Sequence, residues 1–120
     1  MSTIERIGMA ARYSEAAIHN GVIYLAGQVA EATAGQDITA QTTEVLGMVD
    51  RLLGSCGSSK AHLLRVEIYL ADLADYAGMN AVWDAWVQPG AAPPRATVQA
   101  QLAKPEWRVE MVVTAARSAP

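Results

Sequence analysis

The chain carries one cysteine, two histidines and few charges, and each scarcity excludes something. Cys56 cannot form a disulfide within the chain, and a lone thiol fits a reducing cytoplasm. His19 and His62 stand apart from each other and from Cys56, so no Cys/His cluster has metal-ligand spacing. No Ser-His-Asp, Cys-His or phosphate-loop pattern is present, and Cys56 reads as a helix core residue. The formal net charge of −3 lacks the basic footprint that nucleic-acid binding needs. No apolar run approaches the roughly 20 residues that cross a bilayer. The opening "MSTIERIGMAARYSE" has early charges and no apolar stretch, so no secretory signal is expected. The expectation is a cytoplasmic protein with no nucleic-acid or membrane partner.

What is abundant is apolar. Of 120 residues, 52% are hydrophobic and only 18% charged, which suits one domain over residues 1–120 with surplus apolar surface hidden in an oligomer. In "YSEAAIHNGVIYLAGQV", Asn20-Gly21 predicts a tight hairpin turn between alternating strands. Ile23, Leu25 and Val29 share one parity, opposite Tyr24, Ala26 and Gln28. Gly27-Gln28 reads as a bulge or a close backbone approach. Asp37 can cap a helix to about Cys56, with Ile38, Thr42, Val45, Val49 and Leu52 on one stripe and Gly57 as its stop. Leu64–Leu70 alternates as a half-buried strand. Tyr76, Met79, Trp83 and Trp86 mark a second amphipathic helix, ended by Pro89-Gly90. Two last strands are expected near Arg95–Leu102 and Trp107–Ala116, and an extra one near Ile4–Ile7.

This order predicts an α+β fold with two helices on one face of a sheet. On this reading the other face shows Tyr13, Tyr24, Glu67, Tyr69, Arg95, Thr97, Gln99 and Glu110. Such a face suits a second subunit or a ligand. Glu110 sits in "WRVEMVVTAA", where a carboxylate is expensive unless partnered. Arg95 heads the strand "PPRATVQAQL" behind Pro93-Pro94. Sharing a face, the two residues make either a structural ion pair or a site for a small carboxylate substrate. Asn80 lies one helical turn after Tyr76 and can hydrogen-bond near that site or satisfy nearby backbone. Tyr13 can close a pocket or serve an interface.

In this order and spacing, "GVIYLAGQVA", "AQTTEVLGMVDRLLGSCGSSKAHLLRVEIYLADLADYAGMNAVWDAWV", "PPRATVQAQLA" and "RVEMVVTAA" resemble the reactive intermediate deaminase family, also called RidA, YjgF or L-PSP. "NAVWDAWV" and the short loops look most like a YoaB-like branch. The resemblance implies a chorismate-mutase-like fold and a homotrimer around a central barrel, with ligand clefts between subunits. It implies hydrolysis of imino acids, the tautomers of enamines such as 2-aminoacrylate, to keto acids and ammonia, with no cofactor. By the same resemblance, Arg95 binds the substrate carboxylate and Glu110 is the acid near the attacking water. Tyr13, Ala26, Gly27, Asn80 and Thr97 line the substrate site. Ala26 stands where the family often has Ser, Thr97 where it commonly has Cys, and no Pro precedes Tyr13. The rival expectation is a non-catalytic trimer that binds a small carboxylate as a sensor or regulator.

Overall fold

A computed structural model describes residues 3–118. The N-terminal hairpins comprise β1 (Glu5–Met9), β2 (Ser14–His19), β3 (Val22–Leu25) and β4 (Gln28–Val29). Then come α1 (Ile38–Ser55), β5 (Leu63–Leu70), α2 (Tyr76–Trp86), β6 (Arg95–Gln99) and β7 (Val109–Ala116). Short 3-10 turns precede β5 and α2. The strands form one sheet in the order β1-β2-β3-β7-β5-β6, with β4 also paired to β7. All pairs are antiparallel except β5 with β6. Among the described residues, no helix is long and apolar enough to cross a membrane.

Local chemistry explains most of the boundaries. Asn20 and Gly21 both adopt positive φ, +51° and +76°, as a tight hairpin turn demands. The Asp37 side chain accepts from the Ala40 N–H and caps α1. Gly57 ends that helix at φ +77°, and the N–H groups of Gly57 and Ser58 close on the carbonyls of Gly54 and Leu53. The core lies between the helices and one sheet face. Val45, Leu46, Val49 and Leu53 of α1 and Met79 and Trp83 of α2 pack there with Ile23, Val66, Ile68, Met111 and Val113.

Three expectations need correction. The strand expected to run from Arg95 to Leu102 stops at Gln99, and its partner begins at Val109 rather than Trp107. Between the β3 pair Tyr24–Thr114 and the β4 pair Gln28–Met111, one strand advances four residues and the other three. That one-residue bulge at Ala26-Gly27 reverses the parity beyond it. Gln28 therefore joins Ile23 and Leu25 on the core side, and Val29 faces the other way.

The third correction concerns β6. Arg95, Thr97 and Gln99 pair with Val66, Ile68 and Leu70, the core-facing residues of β5. They point toward the helices, and Ala96 and Val98 point to the open face. The alternation was legible, but its direction was not. On this edge strand the apolar side is the one no helix covers, and Val98 is 46% exposed. Glu110 pairs with Tyr69 and does lie on the open face. Arg95 and Glu110 thus sit on opposite faces of the sheet, not on one.

Candidate active site

The predicted site residues fall into two groups. The first surrounds Glu110. A cleft of about 600 Å³ runs between the β2–β3 end of the sheet, the loop before β7 and α1. Tyr13, Ala26, Gly27 and Glu110 line it, with Trp107 and Met48 as walls. The bulge shapes this cleft. The Ala26 N–H donates to the Glu15 carbonyl at 2.9 Å, and the Gln28 amide donates to the Ala26 carbonyl at 2.8 Å. Gln28 is itself buried, so the turn is held from beneath.

At Gly27 the backbone and the acid meet. A Cβ there would overlap Glu110 Oε2 and stand 3.0 Å from its Cδ. The φ of Gly27 is not in the left-handed region, so its reason is space rather than conformation. The expected bulge and the expected close approach are both present. Glu110 is half-buried, and no side-chain cation lies at ion-pair distance from it among the described residues.

The second group surrounds Arg95, on the helix side. A pocket of about 430 Å³ is lined by Leu73, Tyr76, Arg95 and Thr97. The Arg95 guanidinium donates to Asn80 Oδ1 at 2.9 Å and lies 5.0 Å from the centre of the Trp83 ring. Asn80 therefore binds the arginine side chain rather than loop backbone. Among the described residues, the ion pairs join Arg65 to Glu67, Arg108 to Asp75 and Arg117 to Glu5. Arg95 has no carboxylate partner among the described residues, and the structural Arg95–Glu110 ion pair that the sequence left open does not form within the chain.

Sequence reasoning missed several residues. Trp83 and Tyr76 read as packing positions, yet both border the arginine. Trp107 and Met48 gave no signal as cleft walls. Gln41 is fully buried in the apolar stripe of α1. Its amide donates to the carbonyls of Gln36 and Glu106, and its oxygen accepts from the Arg108 N–H. It fastens the loop carrying Trp107 to α1. Glu44 fastens the loop after β4 to α1 by accepting from the Ala32 and Thr33 N–H groups and the Thr33 hydroxyl. Partial burial pushes its carboxyl up, but these hydrogen bonds and Arg51 outweigh that and leave it below the usual range. On the open face, the Tyr69 hydroxyl is raised, first by its hydrogen bond to Glu67 and then by that carboxylate's charge.

A family profile described as endoribonuclease L-PSP matches residues 3–117. The chain belongs to this family. It is 51% identical over 113 residues to a RutC family protein of Haemophilus influenzae, covering 94% of this chain and 97% of that one. The RutC family protein YoaB of Escherichia coli is 44% identical over 114 residues, covering 95% and 98%. Among solved structures, a YjgF family member from Neisseria meningitidis superposes with a TM-score of 0.95 at 50% identity over 98% of each chain. The resemblance to the RidA/YjgF family and its YoaB-like branch is borne out, as is the mixed fold with two helices on one sheet.

Proposed function

We propose that this RidA/YjgF-family chain forms a homotrimer in which the Arg95 pocket of one subunit meets the Glu110 cleft of the next. The composite site hydrolyses 2-imino acids to 2-keto acids and ammonia. The reading rests first on Arg95, a cation held by neutral groups and left without an acid. Two further observations support it. The two half-sites lie on opposite faces of one sheet, so a single chain cannot close them on one small substrate. The open face carries Val98 and Tyr24, 46% and 53% exposed, with no layer over them.

Arg95 fixes the substrate carboxylate through its planar fork. That contact turns a free encounter into an oriented one. Glu110 accepts a proton from a water as the oxygen attacks the protonated imine carbon. The tetrahedral adduct then takes that proton on nitrogen. As the C–N bond breaks, Glu110 removes the hydroxyl proton to form the keto acid, then passes it to the departing ammonia, which leaves as ammonium. Backbone near Thr97 orients the nitrogen. No electron changes hands, and the protonated imine is already electrophilic.

The family description also carries a ribonuclease activity, which the net charge of −3 disfavours. The sensor reading draws on Ala26, which gives the acid cleft no hydroxyl. A coupled assay with imines made in situ from several amino acids tests the proposal. Arg95→Ala should lose turnover and carboxylate binding together. Glu110→Gln should lose turnover yet keep carboxylate binding. Wild-type turnover by Glu110→Gln would remove Glu110 from the chemistry, and carboxylate binding without turnover in the wild type would favour the sensor.

A further inference from the structure

Arg95 raises a problem of support. A guanidinium that is to receive a substrate anion has to be held still without being neutralised. A protein carboxylate would hold it, but would also compete with the ligand for the same fork. The chain uses neither Asp nor Glu here. Asn80 offers an uncharged amide oxygen at 2.9 Å, and Trp83 offers a ring face 5.0 Å away. Asn80 and Trp83 are three residues apart on α2 and so share a face of that helix. They meet Arg95 where the Pro94 carbonyl, bonded to the Val66 N–H, fixes the start of β6.

The indole is itself immobilised. Trp83 is 5% exposed and packs on Trp86 with ring centres 5.3 Å apart and planes at 49°. Trp86 is clamped in turn. Its indole N–H donates to Asp50 at 2.9 Å, and the Lys60 ammonium lies 5.2 Å from its ring centre. A ring that only filled the core would need none of this alignment with a cation.

We infer that Trp83 is a positioning residue, whose indole face carries the Arg95 guanidinium in its anion-receiving orientation while leaving its full charge available. The inference rests on the carboxylate-anchor role proposed for Arg95. The indole takes up none of the guanidinium's N–H donors as an acceptor would, and Asn80 takes one, so the remaining donors serve the pocket beside Leu73, Tyr76 and Thr97.

The test measures pyruvate and 2-oxobutyrate binding by titration calorimetry, and KM and kcat with an imine substrate, for wild type, Trp83→Phe and Trp83→Leu. Trp83→Leu should weaken carboxylate binding about five- to thirtyfold, the range of a partly desolvated cation–π contact. KM should rise by the same factor while kcat stays within about twofold, because Glu110 is untouched. Trp83→Phe should recover part of the loss. Should Trp83→Leu not fold, the wild type alone decides. Ring current from the indole should shift the Arg95 side-chain protons upfield in NMR, and unshifted protons would overturn the inference. Unchanged affinity in folded Trp83→Leu, or a fall in kcat with constant KM, would overturn it too. A wild type that binds no carboxylate would instead remove the anchor role, and this inference with it.

Discussion

Replacing Gly27 by alanine adds one methyl group at the point where the backbone touches the Glu110 carboxylate, the group proposed to activate water. The new Cβ would overlap Glu110 Oε2 and lie 3.0 Å from Cδ and 3.3 Å from Cγ. The carboxylate is the flexible end of a side chain, so it can swing aside and the fold survives. The backbone of Gly27 does not need positive φ, and alanine also narrows the unfolded ensemble, which offsets strain by about 0.4–1 kcal/mol. Unfolding stability should therefore change by less than about 1 kcal/mol. Turnover should not survive as well. The carboxylate has to retreat by about 1 Å, and a misplacement of that size costs on the order of a hundredfold in rate, near 2.7 kcal/mol. Carboxylate binding should stay near wild type, because in the shared site the Arg95 fork comes from the neighbouring subunit and is untouched. The assay pairs a urea melt with kcat from imine generated in situ and pyruvate affinity from calorimetry. Wild-type kcat in a folded Gly27→Ala would refute the assignment of Glu110 as the acid beside the attacking water.

Other consequences can be checked more briefly. Arg95→Lys keeps the charge but loses the planar fork, so pyruvate affinity and turnover should both fall, as calorimetry and the coupled assay would register. Gln41→Leu should cost about 2–4 kcal/mol in urea unfolding, because it strands the backbone groups of Gln36, Glu106 and Arg108. Glu44 is depressed in the folded state, so its stabilising share is present above the ordinary glutamate range. That share is lost as pH falls through its lowered value. A Glu44→Gln chain should show a flatter stability–pH curve on the acid side, measured by thermal melts at stepped pH.

The legibility of the fold followed from local chemistry. Asn20-Gly21, Asp37 and Gly57 each have a short-range reason to sit where they do, and each marked its boundary correctly. The apolar stripe of α1 and the alternation of β5 from Val66 to Leu70 were equally plain, whereas Leu64, read with the apolar side, is exposed because a register shift between Leu63 and Arg65 buries Leu63 instead. The failures came where a strand's surroundings, not its own pattern, set its direction. Ala96 and Val98 looked like the buried side of β6 because apolar residues usually face the core. Here the helices leave that side open, and Arg95 turns in toward α2. The bulge at Ala26-Gly27 also left no mark beyond a glycine, yet it swapped the faces of Gln28 and Val29. Both candidate residues of the chemistry, Arg95 and Glu110, were visible. Their separation onto opposite faces was not, because parity counting assumes that the strand pairings bring like parities to one face. Gln41 hid in an apolar stripe, since its partners are backbone groups distant in sequence.

The central claim is that the catalytic site is shared between two copies of the chain. Subunit mixing tests it directly. Arg95→Ala and Glu110→Gln are purified separately as inactive proteins, then unfolded together at equal concentration and refolded. If each site takes Arg95 from one subunit and Glu110 from its neighbour, random mixing restores both groups at about one interface in four. The mixture should then recover roughly a quarter of wild-type imine hydrolysis, and neither variant refolded alone should recover any. A mixture as inactive as its components, in trimers shown by native mass spectrometry to contain both chains, would contradict the shared site.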